Sequence, residues 1–230
     1  NFHDPYAREW RNGNSRFDLI DLARLCYALR PAGIEWPQRD DGKPSFRLEH
    51  LATANNLDQQ RAHDALSDVY ATLGLARLIR ANQPRLWDYA LGLRDKRRVR
   101  GLLDWLGGNA LVHASEKFPA ERGCTSLVLP IGPGPDSDQG VIVVDLMSDP
   151  SILIDHDVDE LRDRLYTPRA DLPEDVERPA IKTVYANRCP MLAPASVLNG
   201  VDVARIGLDV ERCEHNRQRL LGHAGRADKL

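Results

Sequence analysis

In the stretch RAHDALSDVYATLGLARLI, residues 61–79, a histidine and an aspartate stand five positions apart where a helical pattern begins. Histidine titrates near neutrality and can take a proton from water, and aspartate is a hard oxygen ligand suited to Mg²⁺. Together His63 and Asp68 could carry out metal-assisted hydrolysis. Five residues are about 140° of helical rotation, so the pair cannot face one way from mid-helix. An N-terminus solves this: a helix starting near Asp64 leaves His63 at its mouth and Asp68 one turn inside. Asp68 also shares a face with Ala65, Ala71, Leu75 and Ile79, relieved only by Thr72. A carboxylate in such a stripe calls for a basic side chain or a metal ion. The plain alternative for the pair is a capping histidine and a salt-bridged aspartate.

The elements around this pair are helical over the first 95 residues or so. NSRFDLIDLARLCYALRP places Ser15 as the N-cap of a helix with Phe17, Ile20, Leu22, Leu25 and Leu29 near helical spacing and Pro31 as its stop. GIEWPQRDDGKP is a loop, and SFRLEHLATANNL is a short helix capped by Ser45 and ending at Asn55 and Asn56. The longest helix follows, Gln83-Pro84 ends or restarts it, and RLWDYALGL continues helically. The period then becomes strand-like: NALVHAS, TSLVLPIG, QGVIVVDLM and AIKTVYA are bounded by turn signals, and the helix DVDELRDRLY interrupts them. NRCPMLAP comes next, then helix in VARIGL and VERCEHNRQRLLGHA. The economical division is 1–95, 96–200 as a small β-rich domain, and 201–230 as a helical segment.

With 230 residues, 42% of them hydrophobic and 28% charged, the chain can bury a sizeable core. No apolar run approaches the roughly 20 residues of a membrane span and no leader opens the chain, so cytoplasm is the default expectation. The four cysteines form no CxxC pair and read as reduced packing residues. A net charge of -3 excludes a globally basic nucleic-acid binder and leaves a local patch as the alternative. RDKRRVR, residues 94–100, is one candidate patch, with a solvated basic helix end as its bland reading. The first residue is Asn, which suggests a piece of a longer protein.

His63 and Asp68 on a helix entered through SFRLEHLATANNLDQQRAHDALSDVYAT resemble the third motif of the DEDDh class of 3'→5' exonucleases. DPYAREW, NSRFDLIDLARLCYALRPAGIEWP, DDGKPSFRLEHL, NQPRLWDYALGLRDK and IKTVYANRCPMLAP extend the match, and the chain resembles the bacterial exodeoxyribonuclease I family over nearly its whole length. That resemblance implies an α/β chain: part of a ribonuclease-H-like exonuclease domain, mostly its helices, followed by a small β-barrel of the Src-homology-3 type. The Asp-x-Glu of the first motif and the Asp of the second are expected before Asn1, and a helical domain after Leu230. In the family four carboxylates hold two Mg²⁺ ions; Asp68 would be one ligand and His63 the general base, releasing nucleoside 5'-monophosphates from single-stranded DNA.

The resemblance also assigns DNA contacts to Tyr6, Trp10, Arg24, Phe46 and Arg47, and on the linker and small domain to Lys96, Lys182 and Asn187. The alternative roles are core packing for Trp10 and Phe46, a surface helix position for Arg24 and a turn cap for Asn187. The family docks the acidic C-terminal tail of single-strand DNA-binding protein, and Arg30 and Tyr89 match positions of that pocket. Pro194 and Asn199 stand where the family pattern is polar or basic, and Arg30 could simply complement a helix C-terminus. The functional expectation is a 3'→5' exonuclease on single-stranded DNA acting in repair and recombination, inactive as this piece alone. The alternatives are a non-catalytic binder of DNA or a partner, and an RNA-directed member of the same class; the β-rich region after the motif argues against the latter.

Overall fold

The computed structural model describes residues 11–57, 65–135, 139–174 and 176–223. Five helices come first: α1 (Leu19–Leu29), α2 (Leu48–Ala54), α3 (Ala65–Asn82), α4 (Pro84–Gly92) and α5 (Lys96–Leu102). The five strands are β1 (Leu111–Ala114), β2 (Thr125–Pro133), β3 (Gly140–Asp145), β4 (Ile181–Tyr185) and β5 (Leu192–Pro194). Two helices, α6 (Ser151–Asp155) and α7 (Val158–Tyr166), bridge β3 and β4, and α8 (Val210–Gly222) closes the described chain.

Local chemistry explains most boundaries. Asp18, not Ser15, caps α1, its carboxylate accepting from the backbone of Ile20 at 2.9 Å and Asp21 at 3.0 Å. The Ser15 hydroxyl is occupied elsewhere, accepting from Arg94 Nε at 2.7 Å. Ser45 likewise does not cap α2: its buried hydroxyl meets His50 Nδ1 at 2.8 Å, and Arg47 holds the N-cap position without a side-chain bond. Pro84 opens α4, where a missing N–H costs nothing. Asp95 caps α5, so the basic run stands at the start of a helix rather than at its end. Asp157 and Glu160 form a reciprocal capping box on α7. In place of the helix expected in VARIGL there is one 3₁₀ turn, Ala204–Ile206, because Gly207 turns left-handed at φ 58°.

The strands pair antiparallel in the order β4-β3-β2-β1-β5. The sheet's hydrogen bonding is open, with β4 and β5 as edges, in place of the expected closed barrel. Closure fails locally at β5, which pairs with β1 for three residues and ends at Pro194, a residue with no N–H to donate. Helix α1 packs on β1 and β2, α5 on β5, and α8 on β2. Leu22, Leu25, Leu75, Ile79, Leu129 and Leu192 belong to one continuous core that crosses the change of period near residue 95. At about 25 cal/mol per Å² of apolar burial, that shared core is the main force joining helices to sheet.

Polar ties reinforce the join. Asn216 of α8, 5% exposed, donates to Leu146 O at 2.9 Å and Ser148 O at 3.0 Å. Arg205 donates to Ala28 O at 3.0 Å and to Tyr27 O, closing the end of α1, and its guanidinium lies 4.6 Å from the Tyr27 ring centroid. Arg122, Ser126 and Asp145 form a largely buried network, with Arg122 Nη2 2.9 Å from Asp145 Oδ2. No helix among the described residues is long and apolar enough to cross a membrane.

Candidate nucleic-acid interface

A groove of about 920 Å³ runs between the N-terminal end of α1 and the β1 and β4 side of the sheet. Its cations are Arg16, Arg24, Lys117, Lys182 and Arg188, and its acids Asp18, Asp21 and Glu116. One acid is already committed. Asp21 accepts from Arg24 Nη1 at 2.5 Å, and burial raises its carboxyl above the usual range, partly offset by that guanidinium. Arg24 is therefore held in place, and its buried Nε makes no hydrogen bond.

At the sheet side, Lys182 of β4 donates to Ser115 Oγ at 2.8 Å and to His113 Nε2 at 2.9 Å. Burial lowers the lysine from its ordinary value to about 8. His113 is itself buried and is pushed down to about 3 by burial and by the adjacent ammonium, so it stays neutral. Arg188 stacks over Tyr185 at 4.2 Å from the ring centroid, also on the groove wall. Net positive charge on a half-sheltered surface with aromatic neighbours suits a single-stranded polyanion.

Of the residues singled out by sequence, Arg24 and Lys182 meet in this groove. Asn187 is exposed on the 3₁₀ turn Ala186–Arg188 beside it. Arg47 is exposed at the head of α2, and Lys96 is exposed as the first residue of α5; neither lines the groove. Phe46 is 8% exposed, with its ring 5.5 Å from Tyr27 and 6.4 Å from Trp36 by centroids and Arg24 at 5.8 Å, the setting of a packing residue. Tyr6, Trp10 and His63 lie outside the described residues.

Asp68 also departs from expectation. It is exposed in the first turn of α3, whose buried face runs instead through Ser67, Ala71, Leu75 and Ile79. Burial therefore does not demand a partner for it. Leu66, Val69, Tyr70 and Leu73 are exposed on the same helix. Among the described residues no three His, Cys, Asp or Glu side chains cluster to hold a metal, and one exposed carboxylate is not a metal site.

A second cavity, of about 460 Å³, is lined by both Arg30 and Tyr89, with Gln83, Arg85 and Val197. Tyr89 donates its hydroxyl to Leu192 O at 3.0 Å and carries Arg98 at 4.6 Å from its ring centroid; Arg30 is the C-cap of α1. Pro194 and Asn199 do not line it. Sequence reasoning missed His113 and Ser115. The signal was present, since residues two apart in a strand share one face.

Comparison with known proteins bears on these two cavities. The exonuclease I SH3-like domain family matches residues 94–230. Exodeoxyribonuclease I of Escherichia coli (strain K12) is 48% identical over 216 residues, which cover 94% of this chain and 45% of that protein. The chain thus spans about half the length of the curated relatives it matches. A zinc-bound E. coli ExoI–ssDNA complex superposes with a TM-score of 0.92 at 45% identity, covering 100% of this chain and 49% of the other. An ExoI/SSB-Ct complex gives 0.90 at 45% identity with the same coverage.

Proposed function

The chain belongs to the exodeoxyribonuclease I family, and from that premise we propose that it is the strand-guiding part of a 3'→5' exonuclease that degrades single-stranded DNA to nucleoside 5'-monophosphates in repair and recombination. The observation that carries this reading is the cationic groove between α1 and β4, where Arg24 and Lys182 flank a channel open to a polyanion. Arg47, Lys96 and Asn187 are outlying phosphate or sugar contacts in this reading. In the whole protein Asp68 would be one of the carboxylates that hold two Mg²⁺ ions, and His63 would take the proton of the attacking water. Such ions would supply charge stabilisation to the displacement.

The protein's own described groups do the holding. The Arg24–Asp21 pair fixes one cation at the α1 wall, and Lys182 supplies another at the β4 wall, so a strand is gripped from two elements that share a core. The cavity holding Arg30 and Tyr89 is read as the seat of an acidic peptide tail from single-strand DNA-binding protein. The site of action is the cytoplasm.

The chain on its own binds strand without cutting it. The observation behind this second reading is that no group of three His, Cys, Asp or Glu side chains gathers around Asp68 among the described residues, whereas a two-metal site needs several hard oxygen ligands. The test is degradation of a labelled single-stranded oligonucleotide with Mg²⁺, by the whole protein and by this chain. The expected result is 3'→5' release of mononucleotides by the first and none by the second. In the whole protein His63→Ala should slow turnover by roughly 10²- to 10⁴-fold, with binding kept. Cleavage by the chain alone, or wild-type turnover by the variant, sinks the assignment.

A further inference from the structure

The environment of Lys182 does not resemble that of an ordinary structural lysine. A half-buried ammonium is normally met by a carboxylate. Here its partners are the Ser115 hydroxyl, the His113 ring nitrogen and the face of Phe118, whose centroid lies 5.4 Å away. No carboxylate of the described residues forms an ion pair with it. Around it stand Asp21 and Arg24 of α1, committed to each other, and Glu116 and Lys117 of the turn after β1, opposite in charge.

His113 is oriented with equal definiteness. Its Nδ1 lies 3.1 Å from Met191 O, a carbonyl that also accepts from Ala114 N at 3.1 Å. A carbonyl can only accept, so Nδ1 carries the proton and the Nε2 lone pair faces the ammonium. Phe118 packs edge-on against the imidazole, 5.6 Å between centroids, and limits rotation of the ring. Lysine has three N–H donors. Two are spent on His113 and Ser115; the third remains for the groove.

We propose that His113 is a positioning residue for strand binding: its backbone-anchored lone pair holds the Lys182 ammonium at the groove wall so that the remaining N–H meets a DNA backbone phosphate. This rests on reading the groove as a single-strand path and adds to it a residue that touches no DNA. The arrangement also couples binding to protonation. Burial makes this ammonium lose its proton more readily despite the opposing pull of the Asp21 and Glu116 carboxylates, and a phosphate beside it restores the charged form, so binding takes up a proton where the free lysine is partly neutral.

The test uses the 230-residue chain in EDTA with fluorescein-labelled oligothymidylate, read by anisotropy from pH 6.5 to 9. Wild type should bind more weakly as pH rises through about 8, and Lys182→Met should weaken binding and flatten that fall. His113→Phe, which keeps the ring and removes the acceptor, should cost about tenfold in affinity at neutral pH, the scale of a lost hydrogen bond to a charged group. The double variant should lose no more than Lys182→Met alone. Loss from Lys182→Met with none from His113→Phe, or additive losses, overturns the positioning role and leaves the groove reading intact. No binding by wild type overturns both. If His113→Phe does not fold, ¹⁵N spectra of the wild-type imidazole decide: a neutral Nδ1–H ring throughout the range is expected, and an Nε2–H tautomer or titration near the ordinary histidine value refutes the proposal.

Discussion

Replacing Phe46 with alanine separates two readings of one residue. A base-stacking platform should lose single-strand affinity and keep its stability; a packing residue should do the reverse. The ring is 8% exposed and sits edge-on to Tyr27, tilted to Trp36 and under Arg24. Removing a buried phenyl ring costs about 3–5 kcal/mol, and the rim position of this one favours the lower end. At roughly 2–4 °C per kcal/mol for a chain of this size, the melting temperature should fall by about 6–12 °C. Arg24 would lose its aromatic contact but keep Asp21, so the groove cation should stay close to its place. Thermal melts paired with oligothymidylate titrations across a salt series give both quantities. An unchanged melting temperature with affinity down by about 1–3 kcal/mol and an unaltered salt slope would restore the stacking role and refute the packing argument.

Arg47 is exposed and caps nothing with its side chain, so Arg47→Gln should leave melting within about 0.5 kcal/mol while lowering the salt slope by about one, checked by the same titrations. Arg122→Met strands the Asp145 carboxylate in a largely buried network and should destabilise by about 3–5 kcal/mol in urea melts. All four thiols are buried, and burial raises Cys26 and Cys213 to about 12 and Cys189 to about 11. A thiol reagent at pH 8 should therefore label none of them in native protein and all four after denaturation, as counted by mass.

Strand positions were legible because β-branched runs between turn residues need no distant partner to be recognised: β1, β3 and β4 fall inside the expected segments, and β2 runs one residue past its own, to Pro133. The two misassigned caps show the opposite case. Ser15 and Ser45 have the right chemistry for capping, but Arg94, about eighty residues away, takes one hydroxyl and His50 the other. The first competition is visible only in tertiary structure; the second is local, five residues along the chain. Strand β5 is three residues long and leaves no period to detect, and α6 hides in what reads as a turn. In the site, Arg24 and Lys182 were reachable only through the family resemblance. What sequence could not convey was their environment: that Phe46 is walled in, that Asp68 is exposed, and that Lys182 has a histidine where an acid would be usual.

The core that runs unbroken from α1 to β5 has a practical meaning for anyone recombining such genes. The change of period near residue 95 looks like a natural crossover point, yet a cut there would leave Leu22 and Leu25 on one product and Leu129 and Leu192 on the other, each facing water. Tyr89 would lose Leu192 O, and Arg205 would lose the carbonyls of Tyr27 and Ala28. A chimera that borrows the sheet from a relative must therefore bring α1 and α4 with it. The inheritable unit for shuffling is the pair of layers, not the stretch on either side of the boundary.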